Sequence, residues 1–406
     1  MWYDEFMVKA PPTPKGFRDF LPEQASVRSA VTQKIIETFK QFGFEPLETP
    51  ALEFAETLKG KYGEEEKLIY EFETRGGDKL ALRYDQTVPL ARVVAQYQNQ
   101  LPTPFKRYQI QLVWRGENTQ KGRYREFIQC DADIVGISTL LADAEILSLV
   151  LEIYKNLGLS VIIKINDRNN FANLDKKYIT AIDKLEKIGE SAVLEELRAK
   201  GMTSNEANEA LKALQEKPIT DNLKQILMYL EKMGQDVSKV NYEPTLARGL
   251  DYYTGMIFET VLENGGSSIC SGGRWDKMIG NFTGVDLPAV GFGLGFDRTI
   301  EALQQANLLP PYLPSAKVLV CIFNENLVSE SFKIVSQLDE NKINSELWLD
   351  PSSKLEKQLK YADQKAIPFA IIIGPEEIEK GVVVLKDLKN QSQETLSLDE
   401  VISKLT

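Results

Sequence analysis

Arginine, amide and carboxylate side chains recur at every second position in two neighbouring stretches of this sequence. In residues 105–115, one side of an extended chain carries Arg107, Gln109, Gln111, Val113 and Arg115. In residues 126–135, one side carries Phe127, Gln129, Asp131 and Asp133. A guanidinium binds anions, whereas carboxylate and amide oxygens accept hydrogen bonds from cationic groups and N–H donors. The two stretches therefore predict a binding site with an anion-binding end at Arg115 and a cation-binding end at Gln129 and Asp133.

The same alternation predicts how these side chains are positioned. A period of two is typical of half-buried strands, and the intervening positions are mostly apolar. The Gly-containing loop of residues 116–124 is too long for a two-residue turn, so we predict an antiparallel pair joined by a polar loop. A second interpretation is that the polar face is merely solvated, as in many antiparallel sheets. The aromatic Phe127 among the polar residues favours a binding site.

The chain contains no histidine among its 406 residues. Ser-His-Asp and Cys-His nucleophilic sites and histidine-ligated zinc are therefore excluded. Catalysis has to depend on carboxylates, arginine, lysine, tyrosine, backbone groups or an oxygen-liganded metal such as magnesium. The sequence does not say why histidine is absent.

Composition predicts a cytoplasmic globular protein. The chain is 43% hydrophobic and 26% charged, and no run approaches the roughly 18 apolar residues of a membrane span. Its first residues lack the basic start and apolar stretch of a signal peptide. The three cysteines are too few and too widely spaced for a disulfide framework or a CxxC metal site. The net charge of −11 argues against a general nucleic-acid-binding surface and gives no reason to expect DNA as a partner, while Lys121, Arg123 and Arg125 in the central loop allow a local basic patch.

Polar residues also follow a predicted hairpin at residues 68–84. Asp85, Gln86 and Thr87 precede a helical pattern that contains Pro89. We predict Thr87 as the helix N-cap with Pro89 in the first turn, which leaves Asp85 able to point into a site.

Glycines at alternate positions mark a later predicted strand that runs into a helix near Arg298. These are Gly291, Gly293 and Gly295. Such glycines let a ligand or another backbone approach closely, and close packing explains them equally well.

The motifs resemble those of class II aminoacyl-tRNA synthetases, and in detail those of the histidyl-tRNA synthetase family, along essentially the whole chain. WRGENTQKGRYREF resembles the second class signature, and GFGLGFDR resembles the third, with Asp297 where the class usually has glutamate. KGFRDFLP, LRYDQT, LARGLDYYTGMIFE and CSGGRWDKM resemble motifs of the histidine enzymes.

The resemblance implies an α/β (α+β) fold with three parts. An antiparallel-sheet catalytic domain would comprise residues 1–165 and 241–310. Residues 166–240, where helical spacing dominates, would form a helical insertion. Residues 316–406 alternate strand and helix patterns and would form a C-terminal α/β domain of the anticodon-binding type.

The resemblance also implies an enzyme that activates histidine with ATP and transfers it to the 3′ end of tRNA(His). Both reactants of the first step are anionic, so the site must supply positive charge. Arg115 would bind the α-phosphate, Arg298 the γ-phosphate, and Arg248 would neutralise the reacting groups. Arg115 and Arg248 are thus the implied catalytic residues. Phe127 would stack on adenine, Glu117 would accept from its amino group, and Mg²⁺ would be bound by ATP, with no side-chain metal ligands assigned.

For the amino acid, the resemblance implies a pocket with two polar ends. Asp133 and Tyr253 would bind the imidazole. Trp275 stands where the family usually has tyrosine, and an indole only donates, so a hydroxyl contact is lost. The implied histidine-binding residues are Asp85, Gln86, Thr87, Arg115, Gln129, Asp133, Arg248, Tyr252, Tyr253 and Trp275, of which Asp85, Thr87 and Gln129 would accept from the α-ammonium.

Two partner surfaces are implied as well. The loop residues Gln120, Lys121 and Arg123 would contact tRNA. A helix at residues 23–42, with the segment through Pro50, resembles the dimer-forming element of the class, and its apolar stripe predicts a homodimer.

A non-catalytic alternative has the same fold. The regulatory subunit of ATP phosphoribosyltransferase would bind histidine or a partner enzyme without charging tRNA. The three arginines, the intact RGLDYYT motif and the C-terminal module favour the enzyme.

Overall fold

The structure is a computed structural model that describes residues 10–119, 122–247 and 252–406. The chain divides into two compact units. One contains Arg28–Pro310 and the N-terminal residues up to Asp19, and the other contains Pro311–Thr406 and Phe20–Val27. None of the helices in these described ranges has the length and apolar character that a bilayer crossing requires.

The first unit is built on eleven strands in the described ranges. They are β1 Glu45–Pro46, β2 Leu52–Phe54, β3 Glu71–Glu73, β4 Lys79–Leu82, β5 Phe105–Trp114, β6 Glu126–Val135, β7 Val161–Asp167, β8 Val240–Tyr242, β9 Met256–Leu262, β10 Cys270–Arg274 and β11 Ala289–Gly295. The helices that begin before Pro311 are α1 Pro22–Gln41, α2 Ala55–Leu58, α3 Thr87–Tyr97, α4 Leu140–Asn156, α5 Lys176–Ile182, α6 Leu185–Ile188, α7 Glu190–Ala199, α8 Ser204–Gln215, α9 Asp221–Lys232, α10 Gly280–Thr283 and α11 Phe296–Gln305.

Eight of these strands form one sheet in the order β1-β5-β6-β11-β10-β9-β7-β8. Its inner pairs are antiparallel, and only the two end pairs are parallel. The predicted β5–β6 pair is confirmed, with Arg107 opposite Asp133 and Gln111 opposite Gln129. Because the alternating apolar residues all lie on one face, α1 and α4 cover that face and form the main core. The polar residues lie on the other face.

The apolar stripe of α1 belongs to this core. Val31, Ile35 and Phe39 are at most 1% exposed and pack among side chains of the sheet and α4. The prediction that this stripe offers a dimer contact is therefore wrong, because the chain's own core already covers these side chains.

A smaller antiparallel sheet has the order β2-β4-β3. Leu52, Phe54 and Phe72 stand on one face of it and are exposed, and Leu80 and Leu82 lie opposite them in register. We call these five side chains the small-sheet apolar face.

Helices dominate the chain between β7 and β8, as the spacing predicts. Here α5 to α9 follow a 3₁₀ turn at Arg168–Phe171. A capping box begins α8, since Thr203 accepts from the backbone of Glu206 and Glu206 accepts from that of Thr203.

The second unit holds a five-stranded mixed sheet in the order β13-β12-β14-β15-β16. The strand pairs of β12 with β13 and β14 are parallel, and the remaining pairs are antiparallel. The elements are β12 Val318–Val320, α12 Val328–Glu340, β13 Ser345–Leu347, α13 Leu355–Gln364, β14 Phe369–Ile372, α14 Pro375–Lys380, β15 Val383–Asp387, β16 Ser392–Leu396 and α15 Leu398–Leu405.

Candidate active site

Glycines form the floor of a groove on the polar face of the large sheet. In register, Gly291 of β11 lies between Asp133 of β6 and Gly273 of β10, and the next row pairs Gly293 with Asp131. We call Gly273, Gly291 and Gly293 the glycine floor. A Cβ at Gly291 would lie 2.0 Å from Asp133 Oδ1. Glycine is therefore required at these alternating positions, because polar side chains of β6 occupy the space in which a Cβ of β11 would lie.

Two aromatic residues enclose the Asp133 end of the groove. A Cβ at Gly273 would lie 2.9 Å from Tyr253 Cδ1, so the tyrosine ring covers this glycine. Trp275 is 2% exposed, and its indole Nε1 donates to Asp133 Oδ1 at 3.2 Å. The tyrosine ring of Tyr252 packs against that of Tyr253, with centroids 4.7 Å apart.

Asp133 is fixed by a buried arginine. Arg107 is fully buried, and its Nη2 lies 2.5 Å from Asp133 Oδ2. Burial raises the pKa of Asp133 to about 6, although Arg107 and Trp275 act in the opposite direction. The carboxyl is therefore poised to change its charge just below neutral pH.

Several buried polar atoms around the glycine floor lack a partner. They are Gln129 Oε1, Asp131 Oδ1, Gln86 Oε1 and Arg107 Nε. Burying such atoms unpaired costs about 1–3 kcal/mol each. A concentration of them on one face indicates a place where a polar ligand completes the hydrogen bonding.

The Asp85–Thr87 segment is arranged differently from the prediction. Gln86 is the N-cap of α3 and makes no side-chain cap, and Thr87 is already helical. Asp85 Oδ1 instead accepts from the backbone N–H of Thr87 at 3.0 Å and from Tyr62 Oη at 2.9 Å. The N-cap assignment of Thr87 is thus wrong, because the preceding carboxylate reaches the free N–H groups of the first turn. Burial raises the pKa of Asp85, although the nearby Arg115 lowers it.

The side chain of Gln86 is fully buried behind the groove. Its Nε2 donates to the carbonyl oxygens of Gln111 and Gln129. These bonds hold β5 and β6 at the level where the amide of Gln129 faces the glycine floor.

Arg115 lies at the other end of the β5–β6 pair. Its Nε donates to the carbonyl oxygen of Tyr84 at 3.0 Å, and its guanidinium carbon lies 4.2 Å from the Tyr84 ring centroid and 5.3 Å from that of Phe127. These contacts use one N–H group of the Arg115 guanidinium and leave its other N–H groups able to bind an anion.

A second arginine faces the same region. Arg298 Nη1 donates to the carbonyl oxygen of Ser268 at 2.6 Å. Burial lowers the pKa of Arg298, and the like charges of Arg123 and Arg115 lower it further, while Glu117 opposes them. An anionic ligand bound beside these guanidinium groups would offset that repulsion.

An acid near these arginines, Glu117, forms an ion pair. Arg123 Nη1 lies 3.3 Å from Glu117 Oε2.

Within the described ranges, no group of three or more histidine, cysteine or acidic residues could hold a metal ion. The predicted residues Arg248, Gln120 and Lys121 lie outside the described residues.

Three buried residues of the site region are named in the sequence patterns but received no role there. Arg107 and Asp131 stand on the polar face of the β5–β6 pair, but only the register with the glycines shows that they line a groove. Asp297 accepts from Arg18 and Arg28, each at 2.7 Å. The sequence feature that could have pointed to Asp297 is its position immediately before Arg298.

Comparisons with known protein families match both parts of the chain. A family model described as histidyl-tRNA synthetase matches residues 16–299. A second, described as anticodon binding domain, matches residues 317–406.

Individual relatives match along nearly the whole length. The histidine--tRNA ligase of Cytophaga hutchinsonii is 39% identical over an alignment of 453 positions, which covers 98% of this chain and 100% of the relative. That of Gloeobacter violaceus is also 39% identical, with 94% of this chain and 96% of the relative covered.

Solved structures share the fold. The crystal structure of histidyl-tRNA synthetase from Nostoc sp. has a TM-score of 0.82 and 31% identity, covering 97% of this chain and 99% of that chain. A structure from Bacillus halodurans, described as an ATP phosphoribosyltransferase regulatory subunit/histidyl-tRNA synthetase, has a TM-score of 0.72 and 21% identity, covering 88% and 97%. At that identity the likeness shows the fold alone. The predicted α/β (α+β) class is confirmed.

Proposed function

Because this chain belongs to the histidyl-tRNA synthetase family, we propose that the groove above the glycine floor is where histidine and ATP react. The chain is a histidine--tRNA ligase that joins histidine to tRNA(His) at the expense of ATP. The observation that carries the placement of the site is the β5–β6 pair. It presents buried Asp133 at one end and, toward the other, Phe127 at about 20 Å and Arg115 at about 26 Å along the strand.

Histidine occupies the enclosed end in this proposal. Asp133 accepts from a ring nitrogen, and Tyr253, Tyr252 and Trp275 form the walls. Asp85, Gln86, Thr87 and Gln129 surround the α-ammonium. An amino acid of similar size that cannot make these bonds leaves buried groups unpaired, which is the basis of steep discrimination.

ATP occupies the open end. Its use follows from the family, and Mg²⁺ typically accompanies it. Arg115 and Arg298 bind the phosphates, Phe127 stacks on the base, and Glu117 accepts from its amino group. Mg²⁺, when present with ATP, would supply further positive charge near the phosphates, and we assign it no side-chain ligand. The histidine carboxylate is already ionised, so its attack requires no general base, and Arg248 is assigned the role of neutralising the two anions as they meet.

The remaining assignments concern partners and parts of the chain. We assign residues 1–165 and 241–310 to catalysis, the helical residues 166–240 to the acceptor arm of tRNA, and residues 316–406 to its anticodon. Gln120, Lys121 and Arg123 contact the acceptor end. The small-sheet apolar face supports a homodimer, since an exposed apolar face of this kind is a common interface.

Pyrophosphate exchange tests the proposal directly. The purified protein should catalyse ATP–pyrophosphate exchange with histidine and with none of the other nineteen amino acids. Arg248→Ala should abolish the exchange while circular dichroism stays unchanged. Histidine binding without any exchange would support the regulatory-subunit alternative instead, and exchange with a different amino acid would contradict the assigned pocket.

A further inference from the structure

Asp131 is the one acid of the groove to which the proposed reaction assigns no role. It stands on the polar face of β6 between Gln129 and Asp133 and is 2% exposed. Its Oδ2 accepts from Gln129 Nε2 at 3.3 Å, and its Oδ1 has no partner. Among the described residues, no lysine or arginine forms an ion pair with it. A purely structural acid would not be left in this state, because an unpaired buried carboxyl is costly.

The unpaired oxygen faces the groove. In register, Asp131 lies between Gln109 of β5 and Gly293 of β11. A Cβ at Gly293 would lie 3.1 Å from Asp131 Oδ1, so this oxygen leans over the glycine floor as Asp133 does in the next row. The two carboxyl groups thus border the same space from two adjacent rows of the sheet.

The spacing of the two acids suits a five-membered ring. Residues i and i+2 of a strand are about 6.6 Å apart on one face. A ring nitrogen on each side, with a hydrogen bond of about 2.9 Å from each, bridges a gap of this size. Gln129 and Asp133 are two such steps apart and cannot both reach one ring.

We propose that Asp131 is a specificity-determining residue that binds the second ring nitrogen of histidine while Asp133 binds the first. This inference rests on the proposed function of the groove.

The protonation of the two acids matches a neutral imidazole. Such a ring has one N–H donor and one nitrogen that accepts. Burial raises the pKa of Asp131 well above its usual range, and the charges of Asp133 and Asp85 raise it further, although Arg107 lowers it. Burial therefore favours the protonated, hydrogen-bond-donating form of Asp131, whereas Asp133, with its pKa of about 6, is ionised at neutral pH and accepts.

Two substitutions of Asp131 separate this role from a structural one. Asp131→Leu has similar size and cannot donate, so the KM for histidine in pyrophosphate exchange should rise roughly tenfold or more, with the KM for ATP unchanged. Asp131→Asn keeps a donor at the same place and should stay within about threefold of the parent. Glu53→Gln is the matched control, because Glu53 is an equally buried acid that is paired with Arg92 on the small sheet.

A ring fragment shows which end of histidine is bound. The inhibition constant of 4-methylimidazole, which has no ammonium group, should rise in Asp131→Leu as the KM for histidine does. An unchanged inhibition constant, an unchanged KM for histidine in Asp131→Leu, or an equal loss in Asp131→Asn would overturn the proposal. If Asp131→Leu does not fold, Asp131→Ser is measured in the same way. Failure of the parent protein to activate histidine would contradict the proposed function itself, and is seen before any variant is made.

Discussion

Arg107 Nη2 lies 2.5 Å from Asp133 Oδ2, and both side chains are buried within the sheet. An arginine beside a carboxylate ordinarily lowers the pKa of the acid. Here burial outweighs that attraction, and the pKa of Asp133 is raised to about 6. The charge of the ring-binding acid therefore depends on pH in a range that experiments can reach.

Histidine activation should lose efficiency in acid because of Asp133. Above pH 6 the carboxyl is ionised and accepts a hydrogen bond, and below pH 6 it is neutral. We expect protonation of Asp133 alone to lower kcat/KM for histidine in pyrophosphate exchange about tenfold per pH unit well below pH 6. The measurement is the exchange rate between pH 5 and 8 at saturating ATP.

Free histidine titrates near pH 6.5 and contributes its own change to this profile. Asp133→Asn is the control. Its activity should be lower, and the only pH dependence of kcat/KM that it retains should come from the imidazole of free histidine. Profiles of the same shape for the parent and Asp133→Asn would contradict the assignment.

Asp131 should make the protein less stable as pH rises. Its folded-state pKa is raised by burial, so the folded state binds more protons than the unfolded state above about pH 4. Stability from this group is therefore present at low pH and decreases with rising pH, by up to about 1.4 kcal/mol per pH unit. Asp131→Asn removes this dependence, so its melting temperature should exceed that of the parent at pH 7.5, with a smaller difference at pH 5. If the melting temperatures of Asp131→Asn and the parent differed by the same amount at pH 5 and pH 7.5, ionisation of Asp131 would not destabilise the folded state, and the prediction would be wrong.

Arg18 should affect ATP and not histidine. It pairs with Asp297 at 2.7 Å, and its guanidinium carbon lies 3.2 Å from the ring centroid of Tyr124. It thereby connects the helix that carries Arg298 to the end of the β5–β6 loop. We expect Arg18→Ala to raise the KM for ATP about tenfold, because both phosphate-binding elements lose a common support.

Arg92→Ala is a matched control for Arg18. The exposed fractions of its ion pair with Glu53 are 25% and 4%, against 28% and 6% for Arg18 with Asp297. The control should leave the KM values for ATP and histidine unchanged. An equal change in both KM values in Arg18→Ala would indicate a general loss of structure.

Long periodic patterns were sufficient to predict the elements that carry the site. The β5–β6 pair alternates over ten residues in each strand, and its polar face leads to Gln129 and Asp133. Short elements such as β16 were missed because four of its five residues are polar and exposed and give no burial pattern. The destination of the α1 stripe was mistaken because an amphipathic pattern shows that a face is covered, but not by what.

The site itself was only partly predictable. The polar face indicated which side chains share a surface, but strand pairing decided which of them face glycines. Thr87 was misassigned because two possible capping groups lie within three residues, and the geometry of the turn decided for Asp85. Arg107 and Asp131 became recognisable only when β11 supplied the opposite side of the groove.

We predict that the small-sheet apolar face forms the contact between the two copies of a dimer. Phe54 is 57% exposed and Phe72 is 44% exposed, and both lie opposite Leu80 in register. Since the α1 stripe is buried, this face is the apolar surface that we assign to the second copy. Fully burying an exposed phenylalanine stabilises an association by about 1.5 kcal/mol or more. Phe54 and Phe72 are already about half buried, so the four side chains of a dimer contribute roughly 3 kcal/mol. The double variant Phe54→Glu/Phe72→Glu should therefore be a monomer by light scattering at micromolar concentration, where the parent is a dimer. Phe332→Glu, which changes a similarly exposed phenylalanine of the second unit, should remain a dimer. A parental monomer would contradict the dimer, and a dimeric double variant would exclude this face as the interface.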